Sequence, residues 1–212
     1  MADADNVTVT MSLVRYKRAL SLKSDNDLQK RPRPESSKPN IWKPLDPTKR
    51  QIRLAILAPS RSMDDLPVCT LDFVSLNNNP QNQALSYTWG DAKVTRPINL
   101  QGVQCPVTSK LGTALRNMRY PNMGRALWVD AICIDQDSAR ERSHQATMMT
   151  DIYSDAMIVR VWLGESTPGC REAMRILKKL DDGMSLTQVI TEDRLTREQK
   201  MRSMTELFAR PW

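Results

Sequence analysis

One stretch, residues 126–136 with the sequence ALWVDAICIDQ, constrains the fold of this chain more than any other. It opens with four apolar residues and no polar alternation, which is typical of a strand buried on both faces. Ser138 and Glu141 then have the spacing of a helix capping box, so a helix is predicted to run to about Tyr153. A second apolar run, residues 157–163, follows that helix. The pattern predicts a βαβ unit with parallel strands and therefore an α/β fold.

Polar side chains follow the first of these strands directly. In open parallel sheets, ligands bind beyond the carboxyl ends of the strands, which makes Asp130, Asp135 and Gln136 candidate site residues. Asp130 is predicted to be either a buried, hydrogen-bonded structural carboxylate or a proton-transfer group with a raised pKa. Asp135, together with Asp137, also suits a structural role, because carboxylates favour the positive end of the following helix.

A second candidate loop follows the predicted strand at residues 84–89. It consists of Trp89, Gly90 and Asp91. As a ligand-facing loop, Gly90 would let the backbone approach a ligand, and Asp91 would bind a ribose hydroxyl or act as a base. The alternative is a turn that ends the strand, with Asp91 accepting backbone amide hydrogen bonds. Both interpretations remain open at this stage.

The cysteines and the single histidine argue against other kinds of site. The chain has four cysteines without a CxxC pair and one histidine, so neither a zinc site nor a disulfide framework is predicted. Cys133 would need a base or a positive helix end to become a thiolate, and His144 lies too far along the predicted helix. A buried, inert Cys133 is therefore expected. GxGxxG, GxxxxGK[ST] and GxSxG motifs are absent from the sequence. Their absence argues against a classical dinucleotide-binding fold, a P-loop NTPase and a serine hydrolase.

Composition divides the chain into two parts. Residues 1–40 contain the proline- and serine-rich segment RPRPESSKPN, and they are predicted to form a disordered basic tail. Residues 1–50 hold 11 Lys and Arg against 6 Asp and Glu, whereas the rest of the chain holds 20 against 18. Because a nucleic-acid reader is expected to carry its positive charge on the folded surface, nucleic-acid binding is only a second alternative. No signal peptide or membrane span is predicted, and a reduced, cytoplasmic location is expected.

The remaining elements are predicted from alternation, periodicity and turn residues. These are strands at 51–57 and 68–76, a hairpin over 96–107 with its turn at Gln101 and Gly102, and helices at 108–119, 171–180 and 196–209.

Several segments, taken in order, resemble one known family. They are WKPLDPTKRQIRLAILAP, ALSYTWGD, INLQGVQCPVT, ALWVDAICIDQ, ERSHQATMMTDIYSDA and VRVWLG. The resemblance as a whole covers about residues 41–212. This order and spacing resemble the fungal heterokaryon incompatibility (HET) domain. The family usually continues past the final RPW with further aromatic and polar residues, so the domain over 41–212 is expected to be incomplete at its carboxyl end.

The resemblance implies a fold and a function. The implied fold is a small flavodoxin-like or TIR-like, mostly parallel sheet flanked by helices, here with a β-hairpin insertion. The implied role is fungal non-self recognition and cell-death signalling, in which other incompatibility or death-signalling proteins are the partners and self-association is possible. No cofactor or metal is implied. The alternative is a TIR-like enzyme that cleaves NAD as its substrate, with Asp91 and Asp130 as catalytic candidates.

Overall fold

The computed structural model describes residues 6–11, 41–192 and 195–210. These residues divide into two compact units, one with residues 10–11 and 41–161 and the other with residues 6–9, 162–192 and 195–210. The strands are β1 (Asn6–Met11), β2 (Gln51–Leu57), β3 (Val68–Ser75), β4 (Gln83–Tyr87), β5 (Thr95–Leu100), β6 (Val103–Thr108), β7 (Arg125–Trp128) and β8 (Ile158–Glu165). The α-helices are α1 (Ser109–Met118), α2 (Asp130–Cys133), α3 (Ala139–Asp155), α4 (Pro168–Asp181), α5 (Leu186–Thr191) and α6 (Arg197–Phe208).

The larger unit is built on a mixed sheet with the strand order β8-β4-β7-β2-β3-β5-β6. Strand β7 pairs in parallel with β4 on one side and antiparallel with β2 on the other. The amide of Met157 donates to the carbonyl of Asn82 at 2.9 Å, so the starts of β8 and β4 are neighbours and the two strands run in the same direction. The predicted unit of β7, α3 and β8 is therefore present, with β4 inserted between its strands.

The expectation of a mostly parallel sheet was wrong, and the α/β class was right. Strands β2 and β3 pair antiparallel over their whole length, from Gln51 opposite Ser75 to Leu57 opposite Cys69. The reason is the connection between them, which spans only residues 58–67 and holds no helix; parallel neighbours need a longer crossover. Strand β3 is parallel to β5, so the sheet mixes both kinds of pairing.

The predicted hairpin is confirmed as β5 and β6. They pair antiparallel from Thr95 opposite Thr108 to Leu100 opposite Val103. Gln101 and Gly102 form the two-residue turn with φ of 54° and 80°. Two consecutive residues with positive φ match the twist of the strands, which is why a glycine occurs here.

The core of the larger unit lies around β7 and the helices that pack on it. Trp128 and Ile152 are fully buried, and the rings of Trp128 and Tyr153 meet edge to face with centroids 5.4 Å apart. The Tyr153 hydroxyl donates to the carbonyl of Leu85 at 3.1 Å. Helix α3 is thus fixed on the sheet by an apolar contact and a buried hydrogen bond.

The smaller unit contains helices α4, α5 and α6. Cys170, Ala173 and Leu207 form its buried apolar cluster. Lys200 is also buried, and its ammonium group donates hydrogen bonds to the backbone carbonyls of Val189 and Ile190 at 2.8 and 2.9 Å. These bonds give hydrogen-bond partners to carbonyl groups at the C-terminal end of α5. Helix α5 was not predicted, since six residues are too few for a periodic pattern.

The predicted tail is described only over strand β1, which neighbours β8 in the sheet order. Residues 1–5 and 12–40 lie outside the described residues, so the proposed boundary at residue 40 stays a prediction. Across the described ranges, no helix combines the length and the apolar character that crossing a membrane requires.

Candidate functional site

Two parallel strands bring the predicted site residues to one edge of the sheet. In the register of β4 and β7, Gln83 lies opposite Leu127 and Ala84 opposite Trp128. The carboxyl ends of both strands therefore point the same way. The loops that follow them, 88–91 and 129–136, contain all six candidate residues.

Trp89 and Asp130 are in direct contact across this edge. The indole Nε1 of Trp89 donates to Oδ2 of Asp130 at 2.9 Å. The other carboxylate oxygen, Oδ1, accepts from the backbone amide of Ala131 at 2.7 Å. Asp130 is only 8% exposed and opens the short helix α2. Both carboxylate oxygens of Asp130 thus accept hydrogen bonds, as in a carboxylate that fixes the position of the neighbouring residues.

Gln136 closes the loop back onto the residue where it began. Its side-chain amide donates to the backbone carbonyl of Asp130 at 2.8 Å, and its own carbonyl accepts from Arg142. Asp135 faces a different group, because its Oδ1 accepts from the amide of Asp137 at 3.0 Å. Gln136 therefore belongs to the network around Asp130, whereas Asp135 supports the turn before α3.

A buried ion pair between strand β2 and helix α3 also holds the loop 129–136 in place. The guanidinium of Arg53, on β2, is fully buried and binds the Glu141 carboxylate through two hydrogen bonds of 2.5 and 3.1 Å. It also donates to the carbonyl of Cys133 at 3.0 Å. Glu141 additionally accepts from the amide of Asp135 at 2.7 Å. One carboxylate thereby joins β2, the loop and helix α3.

The capping interaction predicted at the start of α3 is half right. Ser138 is the N-cap residue, and its hydroxyl accepts from the amide of Glu141 at 3.2 Å. The Glu141 carboxylate, however, binds Arg53 and the amide of Asp135. The buried guanidinium is the physical reason, since a charged donor in a buried site demands a charged acceptor.

Arg53 and Trp42 are site-supporting residues that the sequence did not identify. The Trp42 indole donates to the carbonyl of Ile132 at 2.8 Å. The signal for Arg53 was present, because an arginine interrupts the otherwise apolar run of β2. Trp42 had no such signal, since its partner lies 90 residues away.

Asp91 lies on the surface in a tight turn. Its Oδ1 accepts from the amide of Lys93 at 2.9 Å, and its carbonyl accepts from the amide of Val94 at 3.2 Å. This is an Asx turn, a common local use of aspartate. Gly90 precedes it with φ of 74°, and a Cβ placed there would lie 2.9 Å from Cδ of Lys110. The positive φ and the passing lysine stem explain the glycine.

Cys133 is buried, as expected. Burial raises the pKa of its thiol to about 12, and its sulfur accepts from the amide of Val129 at 3.3 Å. A neutral thiol at physiological pH is a poor nucleophile. His144 lies on α3 and is half-buried. Within the described residues, no group of three or more His, Cys, Asp or Glu is arranged to hold a metal ion.

A comparison with known protein families matches the part of the chain that contains both loops of the candidate site. The family profile described as "Heterokaryon incompatibility protein (HET)" matches residues 83–212, more than half of the chain. The chain belongs to this family. The match begins at the first residue of β4 and includes both loops of the site.

A curated relative supports the assignment of the HET domain. "Heterokaryon incompatibility protein 6, OR allele" of Neurospora crassa is 33% identical over 169 residues, which cover 70% of this chain and 25% of the relative. The HET chain described here thus spans about a quarter of the length of that relative. No solved structure matches this chain. Arg53 and Trp42, which hold the loop of the HET domain, precede the residues matched by the family profile.

Proposed function

We propose that this HET domain acts as a signalling module in fungal non-self recognition and programmed cell death, through assembly with other incompatibility or death-signalling proteins. Family membership is the observation that carries the proposal. The geometry of the two aspartates agrees with a scaffold role. Asp130 is buried with both oxygens engaged, and Asp91 occupies an Asx turn. Self-association and a cytoplasmic location belong to the same proposal.

The test separates a loss of signalling from a loss of folding. Asp91→Asn and Asp130→Asn would be expressed in a fungal host within a longer protein that kills, and purified samples would be melted in parallel. A scaffold role predicts that killing follows the amount of folded protein for both variants. If well-folded Asp130→Asn protein does not kill, the carboxylate itself takes part in signalling and the scaffold interpretation is wrong.

The alternative is a TIR-like enzyme that cleaves NAD. One observation favours it, namely that Asp91 and Asp130 follow the carboxyl ends of the two parallel strands β4 and β7. Cleavage of a glycosidic bond generally uses a positioned carboxylate. Incubation of the purified protein with NAD would release nicotinamide if the alternative holds, and the Asp→Asn variant of the catalytic carboxylate would lose about 10²–10⁴-fold in rate.

We also propose that the sheet has a flavodoxin-like or TIR-like fold. Its support is the set of three neighbouring strands, β8, β4 and β7, that run in one direction with α3 as a crossover. The antiparallel strand β2 is a departure from such a sheet. Nucleic-acid binding is not favoured, because the chain beyond residue 50 is close to neutral.

A further inference from the structure

The connection between β2 and β3, residues 58–67, presents a serine on the surface. Ser62 is exposed, and so are the residues on both sides of it. Its hydroxyl accepts from the backbone amide of Asp64 at 3.2 Å, and within the described part of the chain it donates to no acceptor. Ser60 differs, because its hydroxyl donates to the Asp65 carboxylate at 2.5 Å. Ser62 therefore carries the accessible hydroxyl of this loop whose proton is not used in the fold.

Two acidic residues follow Ser62 at the second and third positions. Asp64 and Asp65 are both exposed, so a partner can reach their carboxylates. In the whole sequence, Ser62 is the single serine or threonine that acidic residues follow at both of these positions. Protein kinases select their substrates partly by charge pattern, and a kinase with a basic groove fits a serine that precedes acidic residues. The segment thus has the chemistry of a substrate for such a kinase.

Two other serines have an acidic residue at the third following position, but the fold withdraws them. Ser138 caps helix α3, and the Glu141 carboxylate that follows it binds the buried Arg53. Ser203 is only 8% exposed. A kinase groove cannot engage these groups while the protein is folded. Ser138 and Ser203 are therefore internal controls for Ser62.

Two arginines stand beside Ser62. Arg119 follows the last residue of α1, and its guanidinium donates to the backbone carbonyls of Ser62 and Asp65 at 2.8 and 3.0 Å. Arg61 precedes Ser62, and its guanidinium donates to Oδ1 of Asn122 at 2.8 Å. These acceptors are uncharged. Both guanidinium groups can therefore form stronger, charge-assisted hydrogen bonds with an anion placed at residue 62.

We propose that Ser62 is a phosphorylation site for a protein kinase that recognises acidic residues after its target, and that Arg61 and Arg119 bind the phosphate. The kinase transfers the γ-phosphoryl group of ATP to the Ser62 hydroxyl oxygen. The bond between that phosphorus and the bridging oxygen breaks, ADP leaves, and the hydroxyl proton passes to the catalytic base of the kinase. The new group carries a charge of about −1.5 to −2 at neutral pH, which arginines pair with well. Because Arg119 extends from the end of α1, the phosphate ties the loop 58–67 more firmly to that helix.

The inference goes beyond the proposed function, and it is tested on purified protein without any measurement of killing, so the two can fail separately. The full chain is incubated with casein kinase II and ATP, and the phosphate is located by mass spectrometry. Phosphate should appear on Ser62 and not on Ser138 or Ser203, and Ser62→Ala should remove the corresponding phosphopeptide. Absence of phosphate from Ser62 in the folded protein would overturn the proposal, whatever other residues are modified.

Asp64→Asn and Asp65→Asn test whether the kinase recognises the acidic pair. Each change keeps the size of the side chain and removes its charge, so the rate of Ser62 phosphorylation should fall about two- to fivefold, as for the loss of an exposed ion pair. Asp72→Asn, at an exposed position of β3, is the matched control and should leave the rate unchanged. Equal rates in the three variants and the unmodified protein would refute recognition through Asp64 and Asp65.

The role of the arginines is measured on the phosphorylated protein by phosphorus NMR. The second pKa of the phosphate should be lower in the protein than in a phosphorylated peptide of residues 58–67, because a guanidinium favours the dianion. Arg61→Gln and Arg119→Gln should each raise this pKa towards that of the peptide. Arg202→Gln, on the exposed surface of α6, removes the same charge and should not change it. If all three variants change the pKa equally, or none does, the phosphate is not bound by Arg61 and Arg119.

Discussion

The guanidinium of Arg53 and the carboxylate of Glu141 form a buried, two-point ion pair between strand β2 and helix α3. The two nitrogen–oxygen distances are 2.5 and 3.1 Å, and the side chains are 0% and 13% exposed. Such a pair gives little net stability over an apolar one, but loss of one partner leaves a buried charge. The conformation of the site loop therefore depends on both residues.

Glu141→Ala should lower the free energy of unfolding by about 3–5 kcal/mol, because the buried Arg53 charge would lose its counter-charge. Chemical denaturation measures this loss. Glu198→Ala is the matched control, because Glu198 also pairs with an arginine, Arg202, but both side chains are largely exposed. The control should cost less than about 1 kcal/mol. Similar losses in both variants would show that the Arg53 pair is accessible to solvent.

Trp89→Phe should destabilise the protein by roughly 1.5–3 kcal/mol, since the indole donates to a carboxylate and phenylalanine cannot. Asp91→Asn is a suitable comparison, because an asparagine oxygen accepts the same amide bond from Lys93, and its melting temperature should stay nearly unchanged. If Trp89→Phe does not change the stability of the protein, the contact between Trp89 and Asp130 does not form in solution.

Local patterns in the sequence were enough to predict most strands and helices, and the reason is physical. The alternation in β2, the turn residues at Gln101 and Gly102 and the serine at the start of α3 each specify local backbone structure. Helix α2 was missed, because four residues following a strand carry no period. The antiparallel place of β2 was also missed, since strand order depends on contacts between distant residues.

The position of the candidate residues at one edge of the sheet was predicted, but the hydrogen bonds between them were not. Parallel strands place their carboxyl ends together, so Trp89, Asp130 and Gln136 were expected to lie at one edge. Their hydrogen bonds were not predicted, because Trp89 and Asp130 are 41 residues apart. Arg53 reaches the loop over 88 residues of separation from Glu141. Such pairs depend on the packed fold, which a local pattern does not contain.

Trp128→Ala should cost about 3–5 kcal/mol, because it removes a fully buried indole from the centre of the core. Trp128→Phe should cost much less, because Nε1 has no hydrogen-bond partner among the described residues and most of the ring volume is kept. Thermal and denaturant melts compare the two variants. Equal destabilisation by both would indicate that the indole N–H makes a bond in solution.

Alkaline pH should weaken folding through two buried thiols. Burial raises the pKa of Cys69 and of Cys133 from 9.0 to about 12. Above pH 9.0 the unfolded chain loses these protons while the folded protein keeps them, so the stability present below pH 9.0 is lost as pH rises towards 12. Denaturant melts at pH 7–10.5 measure the slope. Cys69→Ala should show a shallower alkaline loss than the unmodified protein, and an identical slope would contradict the burial of Cys69.

Gly90→Ala tests how tightly the loop before Asp91 is held against helix α1. Gly90 and Gly102 have similar positive φ angles of 74° and 80°, so alanine at either position meets the same left-handed strain of about 1–2 kcal/mol. The surroundings differ, because an added Cβ lies 2.9 Å from Cδ of Lys110 at position 90 and has no atom within 4 Å at position 102 among the described residues. Gly90→Ala should therefore lower the free energy of unfolding more than Gly102→Ala does, and this excess loss should disappear when Lys110 is also replaced by alanine.

If the excess loss persists in the double variant, the backbone rather than the lysine stem limits position 90. If there is no excess at all, Lys110 does not lie over the loop in solution.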